Sequence, residues 1–154
     1  MKRVLFLCIG NSCRSPMAEG FARVYGSDVM EALSAGLAPA EIIQPLTMRV
    51  MKEKNISLEE QRSKDLGEID LQSIDLIINI SGRPLPSGIP VEVRQWRVDD
   101  PIGKDEKTYI AARDQIERLV MELILELRRE RRTPKRGPSL RSLLNRDGAA
   151  SDRQ

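Results

Sequence analysis

The chain has 154 residues, 40% hydrophobic and 31% charged, with a formal net charge of +2, two cysteines and no histidine. That length supports one domain with a proper core, and no apolar segment is long enough to span a membrane. Without histidine there can be no Ser-His, Cys-His or His-metal centre. Two cysteines in one loop do not staple a domain, so the sequence reads as a protein of a reducing compartment, the cytoplasm.

Residues 4–7 are an apolar run of strand length, preceded by Met1-Lys2-Arg3. This imitates the start of a signal peptide, but the run stops at Gly10-Asn11, short of the usual hydrophobic region of about 7 to 15 residues. The next stretch is Cys8-Ile9-Gly10-Asn11-Ser12-Cys13-Arg14-Ser15. A chain that bends after a strand and enters a helix can aim successive backbone N–H groups into one concavity, and the helix adds its positive end. Such a nest binds a tetrahedral oxyanion and favours ionised sulfur over thiol, which makes Cys8 the expected nucleophile. Gly10 and Asn11 tolerate positive φ. Arg14 brings a planar fork suited to two oxygens of phosphate or arsenate. Ser15 has two readings, a cap for the helix or a donor to the Cys8 sulfur. Cys13 also has two, a small buried residue or a reversible disulfide partner that protects Cys8 from further oxidation.

A helix is expected from Pro16 to about Gly26, with Met17, Phe21 and Val24 on one face. Residues 30–34 read as a second strand. Pro45 opens a helix with Leu46, Val50 and Met51 inward, and Asn55 is its left-handed stop. Residues 74–80 and 91–98 read as the third and fourth strands, separated by a Pro/Gly turn at 86–90. In Asp99-Asp100-Pro101 the proline restricts the residue before it to extended geometry. Asp100 is the candidate acid and Asp99 the fallback, with a plain Asx turn as the structural alternative. Residues 109–131 form a long amphipathic helix with Ile116, Leu119, Val120, Leu123 and Leu127 inward. The alternation predicts an α/β fold, three-layer α/β/α around a four-stranded parallel sheet, with sites beyond the carboxyl ends of the strands.

From Thr133 onward Pro134, Gly137, Pro138 and several arginines mark an appended, disordered tail beyond a catalytic domain of residues 1–132. Residues 128–154 carry nine basic and three acidic side chains, a net of +6, which leaves −4 over residues 1–127. Oxyanion capture therefore has to come from the local nest and Arg14. Leu140, Leu143 and Leu144 are spaced for one helical turn. The tail has no aromatic residue to stack bases, which argues against nucleic acid.

The run from Cys8 to Glu19, the Ser34-Ala35-Gly36 turn and Asp99-Asp100-Pro101 resemble the low-molecular-weight protein tyrosine phosphatases and the arsenate reductases that share their fold, over about residues 2–130. The resemblance implies Cys8 as nucleophile, Arg14 as oxyanion clamp and Asp100 as general acid. Ile9, Gly10, Asn11, Ser12, Cys13 and Ser15 would form the substrate cradle, with Ser34 bracing Asn11. Pro16 is phosphatase-like, whereas Ser12, Ser34-Ala35-Gly36 and residues 95–101 are closer to the reductases. Phosphatases of this group place tyrosines after the Asp-Pro to wall a phosphotyrosine ring, and Ile102-Gly103 stands there instead. Thioredoxin-coupled reductases need two more cysteines in the segment matching residues 80–86, and neither is present. Asn11, Glu19 and Ser34 suit a monovalent-cation site of the reductase branch, but Lys64 falls where an acidic ligand is expected. No metal or cofactor is expected.

Phosphate-monoester hydrolysis through a phosphocysteine is thus the leading expectation from sequence, with a phosphotyrosine protein among the substrates. The alternative is arsenate reduction with an external thiol such as glutathione, mycothiol or a glutaredoxin system. A non-catalytic oxyanion-binding or redox-sensing protein is the third reading.

Overall fold

The computed structural model describes residues 1–132; the expectations for the tail lie outside the described residues. Strand β1, Lys2–Cys8, pairs in parallel with β2, Met30–Gly36, on one side and with β3, Leu76–Asn79, on the other. Strand β4, Glu92–Gln95, adds in parallel to β3, giving the order β2-β1-β3-β4. Helices α1, Arg14–Tyr25, and α2, Pro45–Lys52, follow β1 and β2, and α3, Glu106–Arg132, follows β4. No described helix is long and apolar enough to cross a membrane.

Residues 4–7 of the central strand β1 are buried without interruption, as a parallel strand covered on both faces requires. Val4 and Phe6 face a core built with Met17 and Phe21 of α1, Val50 and Met51 of α2, and Ile116, Val120 and Ile124 of α3. Leu5 and Leu7 face the other way, joining Ala35, Ile74 and Ile77. The two layers differ in make-up. All three α-helices lie against the first face, while the second is covered by two short 3-10 helices, Leu66–Glu68 and Leu71–Ser73, and by Leu85, Ile89 and Val91.

Several boundaries shift from those read in the sequence. Val24 is 55% exposed, because the inward stripe of α1 advances in steps of four and reaches Tyr25, whose ring stacks on Phe21 at 6.0 Å. Regular pairing in β3 and β4 is shorter than the segments 74–80 and 91–98, although Asp75, Ile80 and Trp96 still donate backbone bonds to Arg3, Leu7 and Asn79 just beyond the paired residues. Leu46 and Leu119 are only partly buried at the core's margin. Asn55 does take a left-handed φ of 59° just after α2.

The sheet register sets the site. Cys8 pairs with Gly36, and Leu7 aligns with Asn79, itself opposite Gln95. The chain therefore leaves all four strands at one edge.

Candidate active site

The loop from Cys8 to Arg14 is wrapped from outside. The carbonyls of Cys8, Ile9, Gly10 and Ser12 accept from the backbone N–H groups of Leu37, Ala38, Ala40 and Gln44 at 3.2, 2.8, 2.8 and 2.9 Å. Gly10 also accepts from the Ser63 hydroxyl at 2.9 Å. Carbonyls held outward leave the loop amides directed to the concave side, at the amino-terminal end of α1, where a tetrahedral anion is favoured. Asn11 sits at φ 47°, which a short amide side chain tolerates. The strap of residues 37–44 was not read from the sequence, since it carries no motif of its own.

This wrapping requires a glycine at residue 36. A Cβ there would lie 2.8 Å from the Ile9 carbonyl oxygen and 2.9 Å from the Asn11 nitrogen, both loop backbone. Gly36→Ala is expected to lower affinity for inorganic phosphate at least about tenfold and stability by about 1 to 3 kcal/mol. Calorimetric titration with phosphate and urea unfolding test this; wild-type affinity would remove Gly36 from the account.

Cys8, 3% exposed, presents its sulfur to the Ser15 hydroxyl at 2.8 Å. The Asn11 side-chain amide donates to Ser15 Oγ at 2.9 Å and to Ser34 Oγ at 3.0 Å, and its Oδ1 accepts from the Lys64 backbone N–H at 2.9 Å. Because Ser15 Oγ already accepts from Asn11, its own proton is left for the sulfur; the Ala35 carbonyl at 3.5 Å is the distant alternative. Ser15 therefore is not a cap. Helix α1 begins at Arg14, its N-cap residue is Cys13 without a side-chain capping bond, and Pro16 stands in the first turn, where its missing N–H costs nothing.

Arg14 is buried, and its Nη1 donates to the carbonyls of Ile80 at 2.8 Å and Val98 at 2.9 Å. Those two bonds use both Nη1 hydrogens and leave the Nη2 and Nε side of the fork for an anion. Asp100 Oδ2 lies 3.6 Å from Arg14 Nη2, with its side chain 40% exposed. Its Oδ1 accepts from the Ile102 N–H at 3.1 Å. Asp99 is exposed at the loop surface. Of the expected acids, the structure brings Asp100 to the arginine.

Cys13 is buried, and loss of hydration pushes its thiol up to about 12. It stays protonated through the neutral range. At pH 7.5, iodoacetamide is expected to label Cys8 and spare Cys13, with phosphate slowing the reaction. Peptide mass spectrometry checks this, and equal labelling of both in the folded protein would contradict the buried thiol. Where resolving cysteines would stand, Ser81 is buried, donating its hydroxyl to Asn79 Oδ1 at 2.6 Å.

Glu19 is buried beneath the loop, and burial raises its carboxyl above the usual range. Arg23 Nη2 lies 3.5 Å away, and Lys64 acts on it as a second positive charge. Two cationic side chains thus stand near this carboxyl group, one of them the Lys64 that the sequence places where an acidic ligand is expected.

The Cys8 sulfur, the buried Arg14 guanidinium and the Asp100 carboxyl thus meet at the carboxyl edge of a parallel sheet, where α/β folds of this kind place their sites. The chain belongs to the low molecular weight phosphotyrosine protein phosphatase family, whose family model matches residues 3–133. It is similar to the glutaredoxin arsenate reductase of Synechocystis, with 30% identity over 131 residues, 82% of this chain and 99% of the relative. Among solved structures it resembles an arsenate reductase in the phosphate binding state, with TM-score 0.77, 30% identity, and 82% and 99% of the two chains covered. It also resembles the YwlE arginine phosphatase of Geobacillus stearothermophilus, with TM-score 0.75, 26% identity, and 90% and 100% covered.

Proposed function

We propose that this chain reduces arsenate, with Cys8 as the attacking thiolate and an external thiol as the electron source. The observation that carries this reading over a phosphotyrosine phosphatase is the disposition of the aromatic rings. The chain has two Phe, two Tyr and one Trp. Phe6, Phe21 and Tyr109 are buried, and Tyr25 and Trp96 are packed against the same core. No ring remains to sandwich a tyrosyl ester. Beside Asp100 the chain turns through Pro101-Ile102-Gly103, closed by the Lys104 N–H on the Pro101 carbonyl at 2.9 Å. A bare oxyanion needs only the nest and Arg14. The names of the similar reductases point the same way.

In this reading the Cys8 sulfur attacks arsenic(V) while Asp100 protonates the departing oxygen, which leaves as water. An external thiolate then attacks the Cys8 sulfur. The sulfur–arsenic electron pair passes to arsenic, giving arsenite and a mixed disulfide on Cys8. A second thiol releases Cys8 as thiolate and the external disulfide. Two thiols are consumed per arsenate. The electrons have to come from outside, since Cys13 is held as a buried thiol and the chain contains no third cysteine.

Phosphate-monoester hydrolysis is the second reading, favoured by that same cysteine inventory. Cys8 attack, Arg14 stabilisation and Asp100 as acid, then as base for water, suffice without a partner. The likeness to an arginine phosphatase supports a non-aromatic ester or phosphoramidate. Parallel assays separate the two, with arsenate plus glutathione, mycothiol or glutaredoxin on one side and p-nitrophenyl phosphate on the other, and Cys8→Ser as blank. Thiol-dependent arsenite supports reduction. Phosphate-ester turnover without arsenite overturns it in favour of hydrolysis, and inertness to both with tight phosphate binding leaves an oxyanion-binding or redox-sensing protein.

A further inference from the structure

Between β4 and α3 the chain runs without regular structure through residues 96–105 and carries Asp100 at its middle. Three consecutive residues at its start are gripped from three elements. The Trp96 N–H donates to the Asn79 carbonyl at the end of β3 at 3.0 Å, and its ring packs on Phe6 at 5.9 Å. The Arg97 carbonyl accepts from Gln115 Nε2 of α3 at 2.7 Å. The Val98 carbonyl accepts from Arg14 Nη1 of α1 at 2.9 Å.

Consecutive carbonyls of an extended chain point to opposite sides. Holding one from α3 and the next from α1 fixes the rotation of the peptide planes between them, and so the direction in which the chain delivers residues 99 and 100. The Trp96 anchor and Arg14 hold the residues on either side of Arg97, and among the described residues only Gln115 holds the Arg97 carbonyl between them. Gln115 is half-buried on α3. Its bond spans 18 residues of sequence and joins no other group of the site.

We infer that Gln115 is a positioning residue for Asp100: by holding the Arg97 carbonyl against the pull of Arg14 on the Val98 carbonyl, it sets the aim of the Asp100 carboxyl at the leaving oxygen. The inference rests on Asp100 being the acid of the proposed reaction, in either its reductive or its hydrolytic form. A glutamate at residue 115 has the same shape but only accepts, so it would face the Arg97 carbonyl without a hydrogen. A lysine there restores a donor.

The test uses the full chain with Gln115→Glu, Gln115→Leu and Gln115→Lys, and Asp100→Asn as reference. The first readout is hydrogen exchange of the 97–104 segment, including the Ile102 N–H that serves the Asp100 carboxylate. Exchange in that segment is expected to rise at least about tenfold in the Glu and Leu variants, with β1 and α1 unchanged, and to return toward wild type in the Lys variant. The second is kcat/KM for phenyl phosphate against p-nitrophenyl phosphate. The poorer leaving group needs the acid more, so the Glu and Leu variants should lose about tenfold on phenyl phosphate and little on the nitrophenyl ester, a weaker form of the Asp100→Asn pattern. Unchanged exchange in 97–104 overturns the inference, whatever the activity. Faster exchange with equal loss on both esters overturns the link to Asp100. An enzyme inert toward both esters counts against hydrolysis, not against Gln115, and exchange then decides.

Discussion

Cys8→Ser is expected to lower kcat/KM by at least about 10⁴-fold on arsenate or on an aryl phosphate, while inorganic phosphate still binds within a few-fold of wild type. The separation follows from how the site is built. In the proposed reaction the anion is held by loop amides and by the side of the Arg14 fork not used on the Ile80 and Val98 carbonyls, neither of which depends on sulfur. Bond formation in that reaction depends on the sulfur alone. A serine hydroxyl would need a base to lose its proton, and the chain has no histidine. Its closest neighbour, Ser15 at 2.8 Å, is already an acceptor for Asn11 and so offers a proton instead of taking one. Steady-state kinetics and phosphate calorimetry on the same preparation check both halves. Turnover within tenfold of wild type would remove Cys8 from the chemistry, and loss of phosphate binding would mean that the serine had collapsed the loop.

Arg14→Lys keeps the charge and should still cost about 10³-fold in kcat/KM. The guanidinium does two jobs in one plane: Nη1 closes two carbonyls, those of Ile80 and Val98, and the remaining edge faces the anion and Asp100. An ammonium is a single point with three donors. If it stays on the carbonyls it misses the anion, and if it reaches the anion it abandons buried carbonyls. One such unsatisfied group costs about 1 to 3 kcal/mol, so the melting temperature should fall by roughly 2 to 12 °C for a domain of this size. Thermal unfolding alongside kinetics tests the pair of effects. A lysine variant with wild-type stability and a tenfold or smaller kinetic loss would show that the two carbonyl bonds are incidental.

The parts of the site that were legible in the sequence are those whose chemistry is local. Cys8, Gly10, Asn11, Arg14 and Ser15 lie within eight consecutive positions, and Asp100 is marked by the proline that follows it. The two readings left open for Ser15 and Cys13 are divided by contacts that no local pattern encodes. Ser15 faces sulfur because Asn11, oriented by Ser34 and the Lys64 backbone, already occupies its oxygen as a donor. Cys13 is 1% exposed because it belongs to the core cluster that α2 and α3 also fill. Helical spacing puts Met17, Phe21 and Val24 on one face, but the partner surface lies under the row through Phe21 and Tyr25, which leaves Val24 exposed.

The α/β alternation, the candidate loop from Cys8 to Ser15 and the lack of an internal thiol relay are legible along the chain, because periodicity, turn residues and residue inventory act over short range or over the whole chain at once. Contacts across the fold settle the rest: which side of the Arg14 fork is left free by the Ile80 and Val98 carbonyls, how residues 37–44 hold the loop carbonyls, and how Gln115 meets the Arg97 carbonyl. Each of these is a hydrogen bond to a backbone carbonyl. Every residue carries that group, so the sequence alone cannot say which one will be met across the fold.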